Sequence, residues 1–288
     1  MGTKGNRMMQ SIAIVTNEFN RKIDGSRYFL AQMVKIWKHQ GIGVHVTAGP
    51  NFVPADIAVL HVDTTVVADE FFDLASRYPV TLNDKVKDIL KTSISKHLLK
   101  RDDPYQGAVI VKTNANYGGV NEFNNATASG RSTWYDPALE RPWRKREIMD
   151  SLNYPIFDNL SAVPPGVWKN DKLVVEKFLP ERLENGDYRC NTCYFFGEQA
   201  FAAWMSAPRP VIKSSVATAL GLADAVPPSI SAIRKASGLN YGKIDYTEVN
   251  GEVYVYDINK TPALGEKILS LLPSRTLSDF ANEIHSFG

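Results

Sequence analysis

Over the first 85 positions, short apolar runs alternate with helical stripes. Ser11-Ile-Ala-Ile-Val-Thr16, Val44-His-Val-Thr47, Ile57-Ala-Val-Leu-His-Val62 and Val80-Thr-Leu82 read as buried strands. Between them, Gly25-Ser26 opens a helical stretch. It carries Tyr28, Phe29, Met33, Ile36 and Trp37 on one side and ends at Gln40-Gly41; Ala68 to Ser76 reads as a second, short helix. Strand–helix alternation at this spacing predicts a small α/β layer with a mainly parallel sheet. Next, Asn83 is expected to cap a helix from Asp84 to about Leu99, striped by Val86, Ile89, Leu90, Ile94 and Leu98.

The pattern then changes to strands and turns. Ala108-Val-Ile-Val-Lys112 is a strand ending in lysine and running into Thr113-Asn-Ala-Asn-Tyr-Gly-Gly119, a sequence suited to a flap closing over phosphates, or to a simple turn. Residues 120–172 show no clear period. Within them Gly130-Arg-Ser-Thr and Arg141-Pro-Trp-Arg-Lys-Arg-Glu147 are basic, and fit either a solvated surface or a lid whose arginines meet an anion. Leu173 to Leu179, Tyr188 to Phe196 and Phe201 to Met205 follow as strands, and Pro227 to Gly238 as a helix capped by Ser229 with Ile230, Ile233 and Ala236 inward. Leu264 to Leu272 and Thr276 to Phe287 close the chain as helical turns.

Before these last helices comes a hairpin. Tyr241 to Val249 and Glu252 to Asn259 are rich in β-branched and aromatic residues and flank Asn250-Gly251, a strong turn signal. A two-residue turn pairs Val249 with Glu252 and sends Asp245 and Asp257 to opposite faces. A three-residue loop pairs Glu248 with Glu252 instead. That register gathers Lys243, Asp245, Asp257 and Asn259 on one face, and Ile244, Tyr246, Tyr254, Tyr256 and Ile258 on the other. It separates polar from apolar better and is the expected one. Two carboxylates and an amide on one surface suit Mg²⁺, which takes a few protein oxygens and completes its shell with water and phosphate. The alternative is an ordinary solvated sheet face.

Composition changes this picture little. The chain has 288 residues, 44% hydrophobic and 22% charged, which is globular. Its net charge of +2 gives no electrostatic footprint for nucleic acid, and no apolar run is long enough for a membrane helix. Met1 to Gln10 reads as a loose leader without a signal-peptide pattern. Cys190 and Cys193 stand at odd spacing on a strand, so their thiols face opposite ways. They are read as reduced structural cysteines, which fits a cytoplasmic protein. No GxGxxG motif marks a dinucleotide site. His45, His61 and Asp63 lack ligand spacing and are read as sheet and loop residues.

Taken in order, four segments resemble the ATP-grasp superfamily: Val109-Ile-Val-Lys112 with Gly118-Gly119, Val174-Val-Glu-Lys-Phe-Leu179, Tyr241-Gly-Lys-Ile-Asp-Tyr246, and Tyr256-Asp-Ile-Asn-Lys-Thr-Pro262. The second is similar to the hinge of D-alanine–D-alanine ligases. The resemblance implies an α/β (α+β) ATP-grasp fold in which a parallel-sheet domain (11–84) precedes a central lid subdomain with flap and insertion (85–172) and a C-terminal subdomain with the metal site (173–288). It implies that Lys112, Gly118 and Gly119 meet ATP phosphates, that Glu176, Lys177, Phe178 and Leu179 hold adenine, and that Asp187 holds ribose. Asp245, Asp257 and Asn259 would hold Mg²⁺, with Mn²⁺ as a substitute. Lys243 and Arg189 would steady the transferring phosphate, with Lys213 and Lys96 as further phosphate-facing cations. Asp257 and Lys243 stand where the family usually has Glu and Arg, and the lid is shortened. The implied activity is joining a small-molecule or peptide carboxylate to an amine through an acylphosphate. Phosphorylation of a small molecule, or nucleotide binding without turnover, are the alternatives. Homo-oligomer formation is left open.

Overall fold

The computed structural model describes residues 9–18, 22–128 and 141–288. Its first sheet contains β1 (Ser11–Thr16), β2 (Gly43–Ala48), β3 (Ile57–Leu60) and β4 (Val80–Leu82), in the order β2-β1-β3-β4 and all parallel. Both faces of β1 are covered, which is why it reads as a continuous apolar run. Ile12 and Ile14 pack toward α1 (Phe29–His39), Ala13 and Val15 toward α2 (Asp69–Ala75). Of the expected leader, Met1–Met8 lies outside the described residues. Met9 packs on the first core, and the Gln10 amide donates to Asp56 at 2.8 Å.

The helix expected from Asp84 to Leu99 does not form; only α3 (Lys91–Ile94) is helical. Asn83 takes a left-handed φ of 62°. Its side chain is engaged elsewhere, accepting from the amides of Asn240 and Tyr241 and donating to the Tyr241 carbonyl. The following backbone then pairs outward. Val67 and Ile89 amides bond to Lys87 and Thr65 carbonyls, and residues 97–99 run beside a later strand through Leu99 N–Val175 O and Lys177 N–His97 O. Tertiary pairing overrides a helical period here because these backbone groups find partners in distant parts of the chain.

The second sheet, β6-β5-β7, is antiparallel and built from β5 (Val109–Thr113), β6 (Ile156–Phe157) and β7 (Leu173–Lys177), with α4 (Val120–Ala128) between the first two. Val109, Val111, Leu173 and Val175 face its own small core, so Ile110 and Lys112 point the other way. Gly130–Thr133 lies outside the described residues. Arg144 and Arg146, expected on a surface or a lid, sit at a surface turn with the Arg146 guanidinium 4.1 Å over Trp143.

The largest sheet is antiparallel, in the order β11-β10-β9-β12-β13 with β8 also on β9: β8 (Glu181–Arg182), β9 (Tyr188–Phe196), β10 (Gln199–Ala207), β11 (Ala219–Leu222), β12 (Tyr241–Val249) and β13 (Glu252–Asn259). One face packs on α5 (Pro228–Ser237) through Cys193, Phe195, Ile230 and Ile244. The other meets α1, β1 and α7 (Thr276–Asn282) through Tyr194, Phe196, Tyr241 and Phe280. Trp37 Nε1 donating to Ala281 O at 2.8 Å ties the terminal helix in, and α6 (Glu266–Leu269) precedes it. In α5 Ser229 is not the cap: Pro227 occupies that position without a side-chain bond, and Ala236 is exposed. Among the described residues no helix is long and apolar enough to cross a membrane.

The hairpin corrects its own prediction. The turn is the tight one: Asn250 and Gly251 have φ of 55° and 77°, and Val249 pairs with Glu252. By simple alternation that would separate the two aspartates. A β-bulge between Asp245 and Tyr246 instead shifts the register, so Asp245 pairs directly with Asp257 and Lys243 with Asn259. The extra residue is Tyr256. Tyr254 and Tyr256 therefore leave the apolar face, and Val253 and Val255 join Tyr246, Ile244 and Ile258 there.

Candidate functional site

On the α1 side of the large sheet, the apolar cover ends beyond Tyr194 and Tyr241. Past that edge, the β5–β7 sheet faces β9, β10, β12 and β13 across a cavity of about 820 Å³. Both sheets contribute apolar wall: Ile110 and Phe178 from one, Met205 and Leu220 from the other. The remaining wall is highly charged. Arg27, Lys91, Lys112, Arg189, Lys213, Lys243 and Lys267 line it together with Asp63, Asp150, Asp245, Asp257 and Glu266.

The acidic floor comes from the bulged hairpin. Side chains directly opposite in an antiparallel pair stand about 5 Å apart at Cβ, and like charges there repel. Each aspartate is therefore matched by a lysine. Lys91 Nζ lies 2.7 Å from Asp257 Oδ1, and Lys243 Nζ lies 2.8 Å from Asp245 Oδ2. Asp245 Oδ1 also accepts from Thr192 Oγ1 at 2.7 Å. Burial opposes ionisation of Asp257, but Lys91, Lys213 and Lys243 outweigh it and hold the carboxyl below its usual range. Burial likewise works against the charge on Lys91 and Lys243. Asp257 and Asp245 respectively reverse it and raise both. Asn259 Oδ1 is oriented by the Thr261 amide at 2.8 Å.

The roof carries Lys112, whose Nζ lies 2.6 Å from Glu176 Oε2 and 4.7 Å from the Tyr256 ring centre. The bulged tyrosine thus links floor and roof. Its hydroxyl also donates to the Leu179 carbonyl, which accepts from Thr247 Oγ1 at 3.0 Å as well. Arg189 stacks 4.8 Å from the Trp204 ring centre with Nη1 3.8 Å from Glu181. Cys190 lines the same wall, its thiol pushed up to about 12 by burial, while Cys193 lies in the core behind it; both are free thiols on opposite faces.

Of the residues singled out from sequence, Lys112, Phe178, Arg189, Lys213, Lys243, Asp245, Asp257 and Asn259 line the cavity. The others do not. Lys96 is exposed, because the helix that would have aimed it inward is absent. Asp187 is half-exposed at the start of β9. Gly118 and Gly119 do not form a flap but are buried under residues 147–149, where added Cβ atoms would lie 2.1 Å from Met149 O and 2.6 Å from Glu147 O. Glu176 is buried behind Lys112. Lys177 Nζ sits 5.3 Å from the Tyr105 ring centre. In the hinge, the Lys177 and Phe178 amides and the Leu179 carbonyl are already bonded within the protein. The cavity also contains Lys91, Tyr256 and Thr192, which the sequence did not assign to the site, and, past the end of β3, Asp63, which was read as a loop residue. Tyr256 was discoverable from the bulge-prone mismatch between a tight turn and the polar face. Lys91 was hidden by an apparent helical stripe.

The donor set fits a hard divalent cation. Asp245, Asp257 and Asn259 supply oxygens on one face, at adjacent register positions. Among the described residues no three His, Cys, Asp or Glu side chains cluster to hold a metal by themselves.

No protein-family model matches the chain, and no curated protein sequence does. Solved structures do resemble it. D-cycloserine synthetase DcsG superposes with a TM-score of 0.55 at 11% identity, covering 96% of this chain and 99% of the other. The ATP-grasp ligase PsnB, complexed with a phosphomimetic variant of its minimal precursor, Mg and ADP, gives 0.54 at 9% identity, covering 96% and 98%. Macrocyclase MdnC from Microcystis aeruginosa MRC, bound with precursor peptide MdnA, gives 0.53 at 11%, covering 95% and 100%.

Proposed function

We propose that this chain, which has the ATP-grasp fold, is an ATP- and Mg²⁺-dependent ligase that joins a carboxylate to an amine. The observation that carries this reading is the direct pairing of Asp245 with Asp257 beneath Lys112, with Lys91 and Lys243 alongside. Phosphoryl transfer needs positioning and charge neutralisation more than covalent help from the protein. The cavity supplies both. Ile110, Phe178, Met205 and Leu220 offer apolar walls for a purine, and the cations line the same cavity as the acids.

Asp245, Asp257 and Asn259 would hold Mg²⁺, whose charge would offset that of the phosphates. Lys91 and Lys243, each paired to an aspartate, can exchange that partner for phosphate once the acids face a cation. Lys112 is held at the roof by Glu176 and stacked on Tyr256, so it is pre-positioned. A carboxylate oxygen then attacks the γ-phosphorus, ADP leaves, and the acylphosphate forms. Amine attack on the acyl carbon expels phosphate and completes an amide-like bond. In this reading the large sheet, from Glu181 onward, grips the nucleotide against the β6-β5-β7 sheet, whose β7 (Leu173–Lys177) falls inside the expected 173–288 subdomain, and the first α/β unit closes one end.

The test is ADP release across paired libraries of carboxylates and amines with Mg·ATP. The reading requires turnover that needs both partners and yields an amide. Turnover with a phosphorylated alcohol as product would assign a kinase instead. Nucleotide binding without turnover across the screen would assign a non-catalytic binding protein.

A further inference from the structure

Beyond Asn259 the cavity wall continues through Thr261 to Asp63 and Tyr28. Just past the end of β13 the chain bends, and Thr261 turns back toward Asn259, its hydroxyl 3.3 Å from Asn259 Oδ1. There the Thr261 hydroxyl donates to Asp63 Oδ1 at 2.8 Å. Asn121 Nδ2 donates to the same oxygen at 3.0 Å, and the Tyr28 hydroxyl to Oδ2 at 2.8 Å. All three donors are neutral. Among the described residues no Lys, Arg or His nitrogen comes within 4.0 Å of this carboxylate.

A carboxylate withdrawn from water and held only by neutral donors is incompletely compensated. Nearby charge does not remedy this. Lys260, which donates to the Thr65 carbonyl at 3.4 Å, favours the charged form of Asp63, and Glu122, which accepts from the Thr65 amide at 2.5 Å, opposes it; neither pairs directly with the carboxylate. Burial, partly opposed by the Thr261 and Tyr28 hydrogen bonds, raises the Asp63 pKa above the usual carboxylate range. A cation arriving from the cavity would reverse that.

A second feature marks the same place. Tyr117 holds a left-handed φ of 48° while its ring lines the cavity and is 56% exposed. Its turn is docked on the Asp63 loop by the Asn116 amide, which donates to Thr65 Oγ1 at 2.8 Å. A non-glycine residue in this conformation is strained, and such strain gathers where a side chain must be aimed.

We propose that Asp63 and Tyr117 form an acceptor subsite for a primary ammonium with an apolar or aromatic body. The charge sits on Asp63 and the body against the Tyr117 ring. The term acceptor rests on the ligase reading; the binding chemistry does not. The probe is 4-bromobenzylamine, compared with neutral 4-bromobenzyl alcohol by titration calorimetry, with the bromine located by anomalous scattering in crystals. The wild-type protein should bind the amine at least tenfold more tightly than the alcohol, with bromine beside Tyr117. Asp63→Asn should erase that preference. Equal affinities on the wild type, a preference that survives Asp63→Asn, or bromine elsewhere would overturn the proposal. The wild-type comparison decides even if the variant does not fold. Mg·ADP titrated into the same wild-type sample separates the two ideas: its failure to bind sinks the nucleotide reading, while the amine-to-alcohol ratio still decides the subsite.

Discussion

Replacing Lys91 with methionine keeps the length and apolar stem of the side chain and removes its charge. Lys91 Nζ sits 2.7 Å from Asp257 Oδ1, with the two side chains 4% and 19% exposed. Removing one partner of a buried pair costs about 3–5 kcal/mol, because the other charge is left behind. Asp257 opens on the cavity and keeps Lys213 and Lys243 nearby, so about 2–3 kcal/mol is the better expectation. For a chain this long that lowers the thermal midpoint by roughly 3–5 °C. The pH dependence fixes the cause. The folded pKa of Asp257 is lowered, so its contribution is present above the unfolded value of about 3.9 and is lost as pH falls through the folded value. The Lys91 pKa is raised, so its contribution is complete below the unfolded value of about 10.4 and is lost as pH rises through the folded one. The gap between wild type and Lys91→Met should be full at pH 7 and should narrow below about pH 4. Differential scanning calorimetry at several pH values measures it. A midpoint change under 1 °C at pH 7, or a gap that persists unchanged into acid, would refute the assignment.

Two other substitutions separate the structure from the pattern that suggested it. Lys112→Met should weaken Mg·ADP binding at least tenfold by calorimetry, while Lys96→Met should leave it within twofold, because only the first lines the cavity. Gly118→Ala places a Cβ 2.1 Å from the Met149 carbonyl at a φ of +68°; destabilisation of about 2–4 kcal/mol should appear in chemical unfolding, since both the clash and the left-handed backbone oppose it.

What could be read from residues alone depended on how local the cause was. The parallel sheet was legible because β1 and β3 are apolar on both faces, a pattern few other contexts require. The shared face of Asp245 and Asp257 was legible from polar sorting, but the mechanism was not: the tight turn is a local rule, and the bulge at Tyr256 that reconciles it with the face has no signal in the turn itself. Lys91 was hidden because Val86, Ile89 and Ile94 have helical spacing yet pack in the α5 core from a mostly extended chain. The distant partners of Asn83, at Asn240 and Tyr241, decide that conformation, and nothing near Asn83 announces them. Asp63 becomes a site residue only when β3 ends beside Thr261, nearly two hundred positions later. The glycine pair was noticed for its flexibility, whereas the fold uses its lack of side chains.

The central claim is that Asp245 and Asp257 form one metal-binding floor for nucleotide phosphates. Titration of ADP into wild type and Asp245→Ala, each with Mg²⁺ and with EDTA, tests it most directly. The account predicts that Mg²⁺ tightens binding to the wild type at least tenfold and that Asp245→Ala abolishes the enhancement while remaining folded. An Mg²⁺ enhancement undiminished in the folded variant would contradict it.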